Sequence, residues 1–179
     1  MKRKNIKNKI KEYFFTNPTI KLRVRELERK LGLALPSIIN YTKELVEEKI
    51  LQSITIGNVT FFSANRSSKT YLLHKKLFNI REIYDSELIK YLINNHSNPT
   101  IALFGSYSKG EDIEDSDIDL YIETASKQEF NINKYEKLLK RKIQIFNFKN
   151  IKQVKNNFLA NNILNGITLN NFIEVFKWD

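Results

Sequence analysis

The sequence predicts an α+β protein in two parts, a basic helical unit closed by a β-hairpin and then a unit with a small mixed sheet flanked by helices. Three observations carry that prediction. Residues 4–65 hold three stretches of helical apolar spacing, followed by two alternating strands about Gly57-Asn58. From residue 96 onward, strand-like and helix-like segments alternate. Charge is also divided: residues 1–66 carry 14 Lys/Arg against 6 Asp/Glu, and residues 67–179 carry 16 against 14. A basic front half beside a near-neutral back half suggests two units, the first of which meets a polyanion. An AT-rich coding sequence would account for a Lys-rich N-terminal tip. It accounts less well for the asymmetry, because Lys and Asn are as abundant in the back half.

The elements follow in order. Ile6, Ile10 and Phe14 recur at helical spacing until Asn17-Pro18 stops the pattern. Val24, Leu27 and Leu31 define a second helix over 24–31, with Gly32 placed to end it in a left-handed conformation. Pro36 suits the first turn of a third helix that buries Leu35, Ile38, Ile39, Leu45 and Val46. "LQSITIGNVTFFSAN" then reads as a hairpin. Residues 67–95 read as helical linkage, with Asp85 as an N-cap. Beyond them the expected order is strand 99–104, loop, strand 117–123, helix 127–140, strand 142–148 and helix 150–163. The Asn-rich tail keeps apolar spacing through Phe158, Leu159, Ile163 and Leu164 and reads as folded, with Trp178 packing the C-terminus down. The expected domains are therefore 1–66, a helical linker 67–95, and 96–179.

Composition removes several chemistries. The chain has no cysteine, which excludes disulfides, thiolate metal sites and cysteine nucleophiles. His74 and His96 are the only imidazoles, too few for a histidine-rich metal centre, and His96 reads as a helix-end cation or surface residue. No apolar run is long enough to cross a bilayer, and "MKRKNIKNKIKEYFF" lacks the apolar core of a signal peptide. A cytoplasmic location and no membrane partner are the expectation.

The informative stretch is "IALFGSYSKGEDIEDSDIDLYIET", Ile101 to Thr124. Residues two apart on a strand share a face, so Asp117 and Asp119 converge. Paired carboxylates repel and are costly to shield from water unless a cation joins them. A hard ion with oxygen ligands, Mg²⁺, is the natural partner. Upstream, Gly105 permits close backbone approach, and the Ser106 hydroxyl with nearby amides can hold phosphate oxygens, with Lys109 adding charge. A phosphate cradle facing a carboxylate-bound metal suits transfer to or from a nucleoside triphosphate. The four carboxylates of the connecting loop, Glu111, Asp112, Glu114 and Asp115, read as solvated, with an inward reach as the alternative.

"LFGSYSKG", ten residues between Ser106 and Asp117, and "SDIDL" resemble the motif of minimal nucleotidyltransferases of the DNA polymerase β superfamily, and "ILNGITL" resembles the close of such domains. The likeness covers residues 80–175. It implies a small mixed sheet flanked by helices, Mg²⁺ dependence and an NTP substrate, often ATP. Carried onto this chain, it makes Asp117, Asp119 and Ser106 catalytic, with Asp117 and Asp119 as metal ligands. Gly105, Ser106, Lys109 and Ser116 would be nucleotide-binding. In related two-component toxin–antitoxin systems the transferase modifies a HEPN-type partner protein, which makes a protein acceptor an expectation. One position departs from the family: where a third carboxylate usually stands on a neighbouring strand, "RKIQIFNF" places Gln144. Glu123 shares the face of the aspartate pair but lies further along the strand. A catalytically weak nucleotide-sensing regulator is thus the alternative to an enzyme.

The order helix, helix, turn, helix, hairpin over residues 5–65 resembles a winged helix-turn-helix, in which the front of the second helix of the motif enters the major groove. That resemblance implies DNA binding by Ser37, Asn40, Tyr41 and Lys43, with Asn58 at the wing tip and Arg23, Arg25, Arg29 and Lys30 on phosphates. Glu44, Glu47 and Glu48 would be repelled by the backbone. Such folds also serve as dimerisation modules, and a homodimer is expected. Tyr41, Phe61 and Phe62 read as core or hydrophobic rim.

Overall fold

The computed structural model describes residues 2–176, with side chains from residue 6 onward. Trp178 lies outside the described residues. Two compact units divide the chain, Met1–Phe78 and Asn79–Asp179.

In the first unit, α1 (Lys2–Thr16) precedes a two-residue strand β1 (Lys21–Leu22), α2 (Val24–Leu31), α3 (Leu35–Glu47), β2 (Leu51–Ile56) and β3 (Val59–Ala64). Local chemistry explains the boundaries of α2. The Glu26 carboxylate accepts from the Arg23 backbone N–H at 2.8 Å, closing the first turn. At the far end Gly32 adopts φ +61° and donates to the Glu28 carbonyl at 2.8 Å. Pro36 falls in the first turn of α3, where a missing N–H costs nothing. The hairpin turns at Gly57, φ +59°, and β1 joins it to make an antiparallel sheet of order β1-β3-β2. Ile10, Phe14, Leu27, Ile38, Leu45, Ile50 and Leu51 fill the core, with Tyr71 of α4 (Lys69–Asp85) closing it. Tyr41 packs partly buried against that core, and Phe62 is buried in it.

The second unit is built on a four-stranded sheet of order β6-β5-β4-β7. It takes α5 (Leu88–Asn95), β4 (Thr100–Phe104), α6 (Gly105–Lys109), β5 (Ile118–Glu123), α7 (Asn133–Leu139), β6 (Ile143–Phe148), a 3₁₀ turn (Ile151–Gln153), α8 (Asn157–Leu164) and β7 (Ile167–Asn170). β5 pairs antiparallel with β4 and parallel with β6, and β7 pairs antiparallel with β4, so the sheet is mixed. One face buries Ile101, Leu103, Leu120 and Ile122 against α5 and Tyr135. The opposite face carries Ala102, Phe104 and Tyr121 against Ile151, Val154 and Ile163. Gly166 is required where the chain passes from α8 into β7. A Cβ there would stand 2.5 Å from the Leu103 carbonyl oxygen and 2.9 Å from that of Ile163.

Several expectations shift by local competition. The helix expected over 127–140 begins only at Asn133. The helix expected over 150–163 is a 3₁₀ turn followed by α8, whose N-cap Asn156 accepts from the Phe158 and Leu159 N–H groups. Asp85 is not an N-cap: α4 runs through it, and its carboxylate faces Arg81 at 3.8 Å. Ser86 instead accepts from the Leu88 N–H at the start of α5. His96 is no surface cation. It is fully buried, stacked on Phe130 with centroids 4.2 Å apart and edge-on to Tyr91, and burial lowers its pKa. Among the described residues no helix is long and apolar enough to cross a membrane.

Candidate functional site

The Gly-Ser segment after β4 folds as the single-turn helix α6, closed at its end by Gly110 in the left-handed region, φ +74°. Gly105 opens it at φ +71°. A Cβ at Gly105 would overlap the Asp119 carboxylate, so the glycine serves two needs, a left-handed backbone and room for an acid side chain. Asp119 stands on β5 opposite Phe104 of β4 and opposite Gln144 of β6. Side chains opposite one another on paired strands share a face, so Asp119 and Gln144 project together beyond the apolar edge formed by Phe104 and Phe146, whose rings meet edge to face at 5.2 Å. Asp117 lies just before the strand and is exposed, whereas Asp119 is half-buried.

The electrostatics of the pair follow from that placement. Burial first, and then the neighbouring Asp117 charge, raise the Asp119 pKa above the ordinary carboxylate value. Gln144 offers an amide oxygen but no charge. Glu123, at the far end of β5, accepts from the Tyr121 hydroxyl at 2.7 Å. Among the described residues no cluster of three or more His, Cys, Asp or Glu side chains is gathered, so any metal here rests on two carboxylates and must keep several waters, as Mg²⁺ does.

An open cleft of about 530 Å³ lies at Asp117, lined by Glu114, Asp115, Ser116 and Asp117 and by Asn133, Glu136, Lys137, Lys140, Arg141 and Lys142; Asp119 and Gly105 do not line it. Residues 86–171 match the family model described as Polymerase beta, Nucleotidyltransferase. Over that segment the chain is similar to nucleotidyltransferase domains, whose reaction is nucleoside monophosphate transfer and which typically work with a divalent metal. The match spans Gly105, Ser106, Ser116, Asp117, Asp119 and Gln144. No curated protein and no solved structure gives a significant match to the chain.

The remaining residues of the nucleotidyltransferase-like segment fall as follows. Ser106 is half-buried in α6, and its carbonyl accepts from the Glu111 N–H at 3.0 Å. Lys109 is exposed in the last turn of α6. The Ser116 hydroxyl accepts from the Ile113 N–H at 2.9 Å while lining the cleft. Asp112 corrects the expectation of four solvated loop carboxylates, because it is buried. Its partners come from residues far away in sequence, and no local pattern marks them. The cationic wall was likewise missed, although the run Lys137, Lys140, Arg141, Lys142 is visible as a basic cluster just ahead of β6.

In the first unit the five residues singled out for DNA line two clefts. Ser37, Asn40 and Tyr41 line a groove with Pro36 and Glu44. Lys43 and Asn58 belong to a separate cleft of about 710 Å³ with Arg23, Arg25 and Arg29 around an apolar floor of Val24, Ile39, Val59 and Phe62. The acid side of α3 is also less bare than its sequence implies: Lys7 of α1 lies 2.8 Å from Glu44 and 2.6 Å from Glu48, and Asn40 donates to Glu44 at 2.7 Å.

Proposed function

We propose that the second unit is a Mg²⁺-dependent nucleotidyltransferase that moves AMP from ATP onto an acceptor hydroxyl. The observation that carries the reading is the close packing of Gly105 against Asp119, with no room for a Cβ between them, at a carboxylate pair whose charge asks for a cation. In this reading Asp117 and Asp119 would hold the metal, and the chemistry it would supply is charge neutralisation at the triphosphate. Gly105 and Ser106 cradle the phosphates, with Ser116 and Lys109 at the rim. The acceptor oxygen forms a bond to the α-phosphorus as the bond to the bridging α–β oxygen breaks, and pyrophosphate leaves. The acceptor is a tyrosine hydroxyl on a HEPN-type partner protein, by analogy with two-component systems that use such transferases.

The first unit, in the same reading, is a winged helix-turn-helix that binds DNA as part of a cytoplasmic homodimer. The basic balance of residues 1–66 and the helix and sheet order support it. The cleft holding Arg23, Arg25, Arg29 and Lys43 suits phosphate oxygens, and Ser37, Asn40 and Tyr41 suit base edges.

One observation favours a second reading. Gln144 sits opposite Asp119, where a carboxylate would accept the acceptor's proton, and loss of such a base costs roughly 10²–10⁴ in rate. A nucleotide sensor that regulates DNA binding without turnover is consistent with that amide. Incubation with labelled ATP, Mg²⁺ and the protein encoded beside it separates the readings. Transfer that disappears in Asp117→Ala and Asp119→Ala supports the enzyme. Nucleotide binding without transfer supports the sensor. Transfer that persists in both variants removes the assigned mechanism.

A further inference from the structure

Asp112 is a carboxylate with no exposed side-chain surface, set in the loop that delivers Asp117. The Asn79 side-chain amide donates to its Oδ1 at 2.7 Å and to the Tyr107 carbonyl at 2.9 Å. The Arg141 guanidinium, 9% exposed, lies 3.6 Å from its Oδ2. Burial and then the Asp112 charge push the Tyr107 hydroxyl well above its ordinary range, so Tyr107 stays a neutral member of this cluster. A buried ion pair is weak evidence for net stabilisation, since desolvation offsets its attraction. What it does supply is a preference for one geometry, because moving Arg141 away leaves the buried Asp112 charge less compensated.

The segments joined at Asp112 are the ones that carry the candidate site. Tyr107 belongs to α6, next to Ser106. Asp112 leads directly into a tight turn in which the Ser116 N–H donates to the Ile113 carbonyl at 3.1 Å and the Ile113 N–H to the Ser116 hydroxyl at 2.9 Å. Asp117 follows that turn at once. Arg141 precedes Lys142, whose carbonyl accepts from the Ile118 N–H at 2.8 Å, between the two aspartates. Fixing Asp112 to Arg141 therefore fixes the turn before Asp117 to the entry of β6, the strand that bears Gln144.

We propose that Asp112, Asn79 and Arg141 are positioning residues, a buried strut that sets Asp117 against Asp119 and so governs metal-dependent nucleotide affinity at the site. The proposal rests on the transferase-site reading above. None of the three touches the nucleotide in it. Their effect is carried through the 113–116 turn and the β6 entry.

The test uses the full chain and follows ATP binding by calorimetry as Mg²⁺ is titrated, with a thermal melt of each variant alongside. Asp112→Asn removes charge at constant size, and Arg141→Gln removes charge while shortening the side chain. Each is expected to raise the half-saturating Mg²⁺ concentration by about 10–100-fold, the range seen when a group that orients a metal ligand is removed. The double variant is expected to match the worse single variant rather than the product of both, because the two act as one unit. Arg141→Lys, which keeps the charge, is expected to recover part of the loss and covers the case in which Arg141→Gln fails to fold. An unchanged Mg²⁺ requirement in folded variants, with only the melting temperature lowered, overturns the proposal and leaves the wild-type site reading intact. A wild-type chain that binds no ATP at any Mg²⁺ concentration overturns both.

Discussion

Gln144→Glu adds a charge at constant size to the residue facing Asp119. Neighbouring strands lie about 4.8 Å apart, and two like unit charges near that distance repel by roughly 3 kcal/mol at an effective dielectric of about 20. Position 144 is exposed, so solvent screening reduces the cost to about 1 kcal/mol. In EDTA the variant's second unit, Asn79–Asp179, should therefore melt about 4–8 °C below wild type. Mg²⁺ should reverse the order, because three carboxylates bind a hard cation more tightly than two. If the transferase reading holds, the new carboxylate can also take the acceptor's proton, and labelled-ATP transfer should rise by roughly 10²–10⁴-fold. Differential scanning fluorimetry with and without Mg²⁺ reads the first effect, and gel autoradiography the second. A variant whose melting temperature responds to Mg²⁺ no more than wild type, with no gain in transfer, would refute the placement of position 144 beside the metal.

Other predictions are smaller in scope. Gly105→Ala forces an L side chain into left-handed backbone at about 1–2 kcal/mol and drives its methyl into Asp119. Urea melts should show that loss, and Mg²⁺-dependent ATP binding should vanish with it. Burial holds the His96 pKa below its unfolded value, so the native state resists protonation. Stability is then fully present above the unfolded pKa, near 6.5, and falls as pH drops below it, by at most about 1.4 kcal/mol per pH unit. Urea midpoints between pH 8 and 5 should show a slope that His96→Phe reduces. For the first unit, Arg25→Ala or Lys43→Ala should each lower the salt-dependence slope of DNA binding by about one. An unaltered slope in fluorescence anisotropy would place the DNA elsewhere.

How much could be read from the chain itself depended on how local the deciding contacts were. Gly32, Pro36 and Gly57 act within a few residues, and α2, α3 and the hairpin lie where those residues indicate. The alternation of Asp117-Ile118-Asp119-Leu120 was enough to place Asp119 near the start of a strand, which begins at Ile118 and leaves Asp117 just ahead of it, and the register of β5 on β6 puts Gln144 opposite Asp119. Asp112 was misread because its burial depends on Asn79, 33 positions away, and on Arg141. His96 was misread for the same reason: Phe130 and Tyr91 cover it from distant segments. Lys7 against Glu44 and Glu48 repeats the lesson, since a helix face that looks acidic in sequence gains its counter-ion from α1.

The central claim is that Asp117 and Asp119 join a divalent cation to a triphosphate lodged beside Gly105. Isothermal titration of ATP into the chain, in Mg²⁺ and in EDTA, tests it most directly. Binding should appear only with Mg²⁺ and be lost in both Asp117→Ala and Asp119→Ala. Equal affinity in EDTA, or binding undiminished by either substitution, would contradict the account.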